Sequence, residues 1–201
     1  MGMLMYEELR EELCVTAKLI FDRRLTNAVG GNYAVRPADG HVLITPAFMS
    51  ERKHSALEPK DILLIDYDKN IIDGEGELTR EVDMHLLLLT RHEHIGATLH
   101  AHPFHCMPFV AAGKPIPSMT EATEDRGDAG CIPFARAYTP ALAAAVAKYF
   151  EDRRELAERV PLGVVLPRHG VLVSGKDIYS ALSMLELIET DAYCAICRNL
   201  I

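Results

Sequence analysis

Three histidines fall within eight residues in "LHAHPFHC", Leu99 to Cys106. One residue separates His100 from His102, and on a β-strand alternate side chains leave the same face. Their side chains then start roughly 7 Å apart, twice the strand rise, and two imidazoles at that spacing can converge on one metal ion. His105 has the opposite parity and lies beyond Pro103, so it does not join them on that face. A pair of solvent-facing histidines is the competing reading. A third imidazole comes from "PRHGVLVSG": His169 stands between a strand end and Gly170, where a side chain can point into a cleft. Three neutral imidazoles on Zn²⁺ would leave a coordination position open for a substrate oxygen.

Glu81 sits one helix upstream of the histidine pair, and a helix packing back on its own sheet can bring its N-terminus near the end of the following strand. On spacing alone the plainer reading is an exposed first-turn carboxylate that supports the helix macrodipole. His85, four residues on, either orients Glu81 or is a satisfied core histidine, and the second is the plainer reading. Gly30-Gly31-Asn32 forms a turn entering a strand. Its backbone N–H groups can face an anion, or it is only a turn. Cys194 and Cys197 have the spacing of half a zinc site, but they lie mid-helix without a partner pair and read as packing residues. The acidic run "EATEDRGD", residues 121–128, reads as a solvated loop.

The elements that must place these groups follow from periodicity and punctuation. Residues 6–25 put Leu9, Leu13, Ala17 and Ile20 on one helical face. Tyr33 to Arg36 and "HVLITP" read as strands, and "DILLIDYDKNIIDGEG" as strand, turn and short strand. "TREVDMHLLLLTRHEH" predicts a helix, with Thr79 as N-cap and Glu81 in its first turn. "GATLHAH" is a strand ended by Pro103, and residues 104–112 a short helix. "IPSMTEATEDRGDAGCIPFARAY" reads as irregular chain with isolated extended pieces. Thr139-Pro140 starts a helix through about Arg159. "GVVLPRHGVLVSG" is two apolar runs around a turn, and "KDIYSALSMLELIETDAYCAICRNLI" a long closing helix. Strands and helices interleave while several strand pairs look like hairpins. The expected fold is therefore α/β: a mixed sheet with helices on both faces.

Composition narrows the classes of function. The chain has 201 residues, 49% hydrophobic and 25% charged, which predicts one globular domain over 1–201. A formal net charge of −8, with no basic stretch, argues against nucleic-acid binding. No apolar run is long enough to span a bilayer, and charge at Glu7 arrives too early for a signal peptide. Five irregularly spaced cysteines predict a reducing cytoplasm.

In order, "GGNYAVR", "LITP", "LTREVDMH", "LHAHPFHC" and "RHGVLVSG" resemble successive motifs of the class II aldolase/adducin family. That family includes fuculose-1-phosphate aldolase and ribulose-5-phosphate 4-epimerase, and the likeness covers nearly the whole chain. It implies a three-layer α/β/α domain with a largely antiparallel sheet, a zinc site, and a homotetramer with active sites between subunits. By match to the family's motifs, His100, His102 and His169 would be the zinc ligands, with another divalent transition metal as the variant. Glu81 matches the acid/base carboxylate of the aldolase branch, where epimerases usually carry Asp. The family's phosphate pocket matches Gly31, Asn32, Thr45, Thr79 and Arg80. Here the usual Thr-Gly has become "TPAF", with Ala47 and Phe48, and the usual Ser-Ser has become Thr79-Arg80. Arg80 suits a phosphate or a carboxylate. The tyrosine that some aldolases use as a proton donor has no clear match, and Glu121 lies near that point. The implied activity is cleavage of a C–C bond in a small ketose phosphate. Epimerisation, dehydration or decarboxylation of a phosphorylated sugar or sugar acid are the alternatives, and a non-enzymatic adducin-head-like module is the most distant one.

Overall fold

Alternation along the strands sorts the apolar side chains into two layers. Tyr33, Val35, Leu43, Leu64, Leu99 and Val173 pack into one buried cluster, while Ala34, Ile44, Leu63, Ile65 and Leu172 pack into another. A strand can feed two cores only when both its faces are covered, and helices cover them here.

The computed structural model describes residues 4–38, 40–198 and 200. In chain order the elements are α1 (Glu7–Asp22), β1 (Asn32–Ala38), β2 (His41–Ile44), α2 (Met49–Lys53), a 3₁₀ turn (Pro59–Asp61), β3 (Leu63–Ile65), β4 (Ile71–Asp73), α3 (Val82–Arg91) and β5 (Ala97–Ala101). There follow α4 (Met107–Ala112), α5 (Glu121–Glu124), β6 (Gly130–Cys131), α6 (Pro140–Glu151), α7 (Arg154–Ala157), β7 (Gly163–Leu166), β8 (Gly170–Gly175) and α8 (Ile178–Cys197). The strands form one eight-stranded sheet in the order β4-β3-β2-β1-β5-β8-β7-β6. Only β6 and β7 pair in parallel; the other neighbours are antiparallel. The layers α1, α4 and α8 pack on one face through Leu13, Ile20, Val110, Leu185 and Ile188. On the other face α3 and α6 pack through Met84, Leu88, Leu142, Val146 and Phe150. The α/β/α architecture with a mixed, mainly antiparallel sheet is the one expected. No helix among the described residues is long and apolar enough to cross a membrane.

Three local readings change. The helix expected from Thr139 to about Arg159 is two helices, α6 and α7, broken at Asp152-Arg153. Leu156, Ala157 and Val160 still pack on the same core, so the apolar period carries no sign of the break. Thr139 caps α6 as expected, accepting from the Leu142 N–H at 3.3 Å. Thr79, however, does not cap α3: Glu81 holds the N-cap position, and the Thr79 hydroxyl accepts from the Glu81 N–H at 3.3 Å. Glu81 is thus fixed just ahead of the helix rather than in its first turn. The stretch read as irregular with isolated extended pieces does contain one, the edge strand β6, but the start of its acidic run is the short helix α5 rather than loop.

Two registers matter for function. Asn32 of β1 lies opposite His100 of β5, and His100 lies opposite Leu172 of β8. The β7–β8 hairpin closes with Leu166 opposite Gly170, which sends its turn out beside the end of β5.

Candidate active site

The three imidazoles expected to act together do meet. His100 lies near the end of β5, His102 just beyond it, and His169 in the β7–β8 turn. Ring centroids are 5.0 Å apart for His100–His102, 4.6 Å for His100–His169 and 5.7 Å for His102–His169. One ligand atom from each lies within 4.8 Å of the other two. Arg168, at φ 61°, holds the turn in the left-handed region, and its N–H donates to Val110 of α4 at 2.8 Å. A neighbouring helix thus pins the turn that aims His169.

Nitrogen roles follow from partners. His100 Nδ1 is 2.9 Å from the Val171 carbonyl, which can only accept, so Nδ1 carries the proton and Nε2 keeps its lone pair. His102 Nδ1 faces Asn27 Oδ1 at 3.4 Å, a weaker version of the same arrangement. The Nε2 atoms of both rings are buried and make no hydrogen bond. Burial pushes the His100 pKa down to about 4 and that of His102 down to about 3, so both rings are neutral. Converging, neutral, unpartnered imidazole nitrogens fit a divalent metal ion. Backbone space makes the convergence possible. A Cβ on Gly30 would lie 2.0 Å from His102 Nδ1, and one on Gly170 would lie 2.5 Å from the same ring and 2.6 Å from the Ala101 carbonyl.

Glu81 stands between two of these rings. Its Oε2 is 3.3 Å from His100 Nε2 and its Oε1 is 3.0 Å from His169 Nε2. Oε2 also accepts from Asn32 Nδ2 at 2.9 Å. Burial by itself would raise this carboxyl's pKa; the positive charge that His100 and His169 carry when protonated, together with the Asn32 amide, outweighs it and holds the carboxyl well below the usual range. Glu81 is therefore not the exposed first-turn residue of the plainer reading, since it is 7% exposed.

A cleft opens over this group. Gly31, Asn32, Thr79, Arg80 and Tyr138 line it together with Glu81 and the triad, as do Ala47 and Phe48. Thr45 does not. It is fully buried, and its hydroxyl accepts from the Tyr33 N–H at 3.0 Å, so β1–β2 pairing occupies the group that was expected to face an anion. Glu121 starts α5 and is likewise absent from the cleft lining. The Arg80 guanidinium carbon sits 3.8 Å from the Tyr138 ring centroid, a cation–π contact that keeps its charge beside the cleft. Tyr138 and Asn27 escaped the sequence reading. The only trace of Tyr138 was an aromatic just ahead of a helix cap, and nothing marked Asn27. His105 turns away from the site and binds Glu189 through Nδ1 at 2.7 Å.

The family model described as "Class II Aldolase and Adducin N-terminal domain" matches residues 11–196. The chain belongs to that family. Among curated members, a 5-deoxy-D-ribulose 1-phosphate aldolase of Bacillus thuringiensis serovar kurstaki is 28% identical over 195 residues, covering 96% of this chain and 84% of its own. An L-fuculose phosphate aldolase of Methanococcus maripaludis is 29% identical over 179 residues, covering 89% and 91%. A solved L-fuculose 1-phosphate aldolase superposes with a TM-score of 0.80 at 25% identity, covering 96% of this chain and 87% of that one. These class II aldolase relatives are enzymes named for small phosphorylated sugars.

Proposed function

We propose that this chain is a divalent-metal-dependent lyase of the class II aldolase type, which reversibly cleaves a C–C bond beside the carbonyl of a small ketose phosphate. The observation that carries the reading is Glu81, buried between His100 and His169 in the lining of an open cleft. His100, His102 and His169 would hold the ion, Zn²⁺ on the evidence of a three-imidazole donor set; bound there, it supplies Lewis-acid polarisation of the substrate's carbonyl and hydroxyl oxygens. Glu81 moves the proton to and from the carbon that gains charge as the bond breaks. Its Oε1, which Asn32 does not engage, lies 3.0 Å from His169 Nε2 and is the oxygen placed to do so. Asn32 keeps the other oxygen engaged. Arg80, stacked on Tyr138, offers charged N–H donors to the substrate's anionic group, with Thr79 and the Gly31 backbone beside it. Thr45 supports this pocket from behind by holding the Tyr33 backbone rather than by touching the anion. The protein is further proposed to be cytoplasmic and, like the family the sequence resembles, to assemble as a homotetramer with active sites between subunits.

The test joins metal analysis to turnover of short ketose 1-phosphates. Purified protein is expected to carry one divalent ion per chain. Glu81→Gln is expected to keep the ion and lose about 10²- to 10⁴-fold in kcat. Protein that binds no divalent metal would overturn the reading, and so would a Glu81→Gln variant with full activity.

A further inference from the structure

Helical spacing offers His85 two roles, an orienter of Glu81 or a satisfied core histidine. It does not touch Glu81 directly. It is fully buried on α3, with Nδ1 2.6 Å from Thr98 Oγ1 of β5 and Nε2 2.6 Å from Asn32 Oδ1 of β1. Asn32 in turn reaches Glu81 Oε2 through Nδ2 at 2.9 Å. Four side chains from three elements and one loop thus form an unbroken chain ending on the carboxylate.

For a neutral His85 ring, every proton in that chain is fixed by its neighbours. An ionised carboxylate only accepts, so the Asn32 NH₂ faces Glu81 and the Asn32 carbonyl faces His85. That carbonyl only accepts, so His85 carries its proton on Nε2. Nδ1 then accepts, and the Thr98 hydroxyl donates. A doubly protonated ring would meet the same partners by donating to the Thr98 hydroxyl oxygen, so the contacts fix the Nε2 proton and burial decides the charge. Burial supports the neutral form by lowering the His85 pKa to about 4. If the Asn32 amide were flipped, its carbonyl oxygen would face the Glu81 carboxylate, an arrangement with two acceptors and no proton.

We propose that His85 is a positioning residue that fixes which end of the Asn32 amide faces the cleft, and thereby holds Glu81 in place for proton transfer. The inference rests on the reading of Glu81 as the proton carrier. Thr98 and His100 lie two residues apart on the same face of β5, and Asn32 pairs with His100 across the ladder. One strand therefore places both the metal ligand and the start of the chain that orients the carboxylate. Among the described residues the His85 side chain hydrogen-bonds to Thr98 and Asn32, neither of them a member of the triad.

Two measurements decide it. The first is long-range ¹H–¹⁵N NMR on protein labelled at histidine. His85 is expected to show the neutral Nε2–H tautomer at and above about pH 6; the Nδ1–H tautomer or a cation there would overturn the proposal. The second is exchange of carbon-bound hydrogen in dihydroxyacetone phosphate by zinc-loaded protein in D₂O. In that exchange the base takes a proton from the hydroxymethyl carbon and returns a deuteron, so one C–H bond becomes C–D with no redox change. His85→Leu is expected to slow exchange about 10- to 100-fold with zinc affinity unchanged, and His85→Gln, which can still donate to Asn32, to stay within about threefold of wild type. Equal losses in the two variants, together with weakened zinc binding, would show a merely structural role and overturn the proposal. Wild-type protein that binds zinc but exchanges nothing would overturn the proposed function instead, and the tautomer would then decide the hydrogen-bond chain alone.

Discussion

The chain carries the pattern His-x-His twice, at His92–His94 and at His100–His102, and the two pairs have different fates. Their local geometry is similar: ring centroids 5.4 Å apart at 68° in the first, 5.0 Å apart at 76° in the second. In both pairs burial lowers the imidazole pKa values. The surroundings differ. His92–His94 follows the end of α3, where Arg154 adds to the effect of burial on both rings, and its near carboxylate, Glu151, is 4.0 Å away and exposed. His100–His102 ends a central strand, where the β7–β8 turn delivers His169 and the loop before α3 delivers Glu81. Among the described residues, only this second pair belongs to a three-ligand group. Spacing makes a pair, and a distant turn makes a site.

Removing the distant partner is the strongest way to break this contrast. His169→Ala reduces the second pair to the condition of the first. Zinc affinity should fall more than about 100-fold, beyond the loss typical of groups that only support a ligand. A competition titration that finds unchanged affinity would refute the three-ligand reading. Next in size is Gly30→Ala, whose new Cβ would meet His102 Nδ1 at 2.0 Å. The ring must move, and affinity should drop about 10- to 100-fold while the sheet, and with it the far-UV circular dichroism, stays as it is. Asn27→Ala removes the 3.4 Å contact to His102 Nδ1, and its effect should sit near the lower end of that range, about 10-fold. The smallest effect belongs to the other pair: His92→Ala with His94→Ala should leave zinc affinity within about twofold, since distant sites act independently. Loss of a bound ion in that double variant would reveal a second metal site and dissolve the contrast.

How much of this was legible in the sequence depends on the range of the interaction. The parity of His100 and His102 is a property of two residues on one strand, and it reads directly. His169 beside Gly170 reads as a residue able to enter a cleft, and Arg80 as a charged fork next to Glu81. The role of Thr45 does not read, because its burial comes from the pairing of Tyr33 with the chain after β2. His85 reads only as a choice between two roles. Its partners on β1 and β5 are 53 and 13 residues away, and helix period alone does not say which side chain lies across the sheet. Tyr138 meets Arg80 across 58 positions of sequence for the same reason.

By itself, then, the order of residues determined the alternation that makes a two-sided sheet, a local cap such as Thr139, and the donor types at each strand end. These are local because backbone period and side-chain chemistry act within a few residues. Tertiary structure alone decided which of two His-x-His pairs gains a third imidazole, and that Asn32 lies between His85 and Glu81. Those outcomes depend on the strand order β1-β5-β8 and on the packing of α3 against it, where groups remote in sequence are brought within hydrogen-bonding distance.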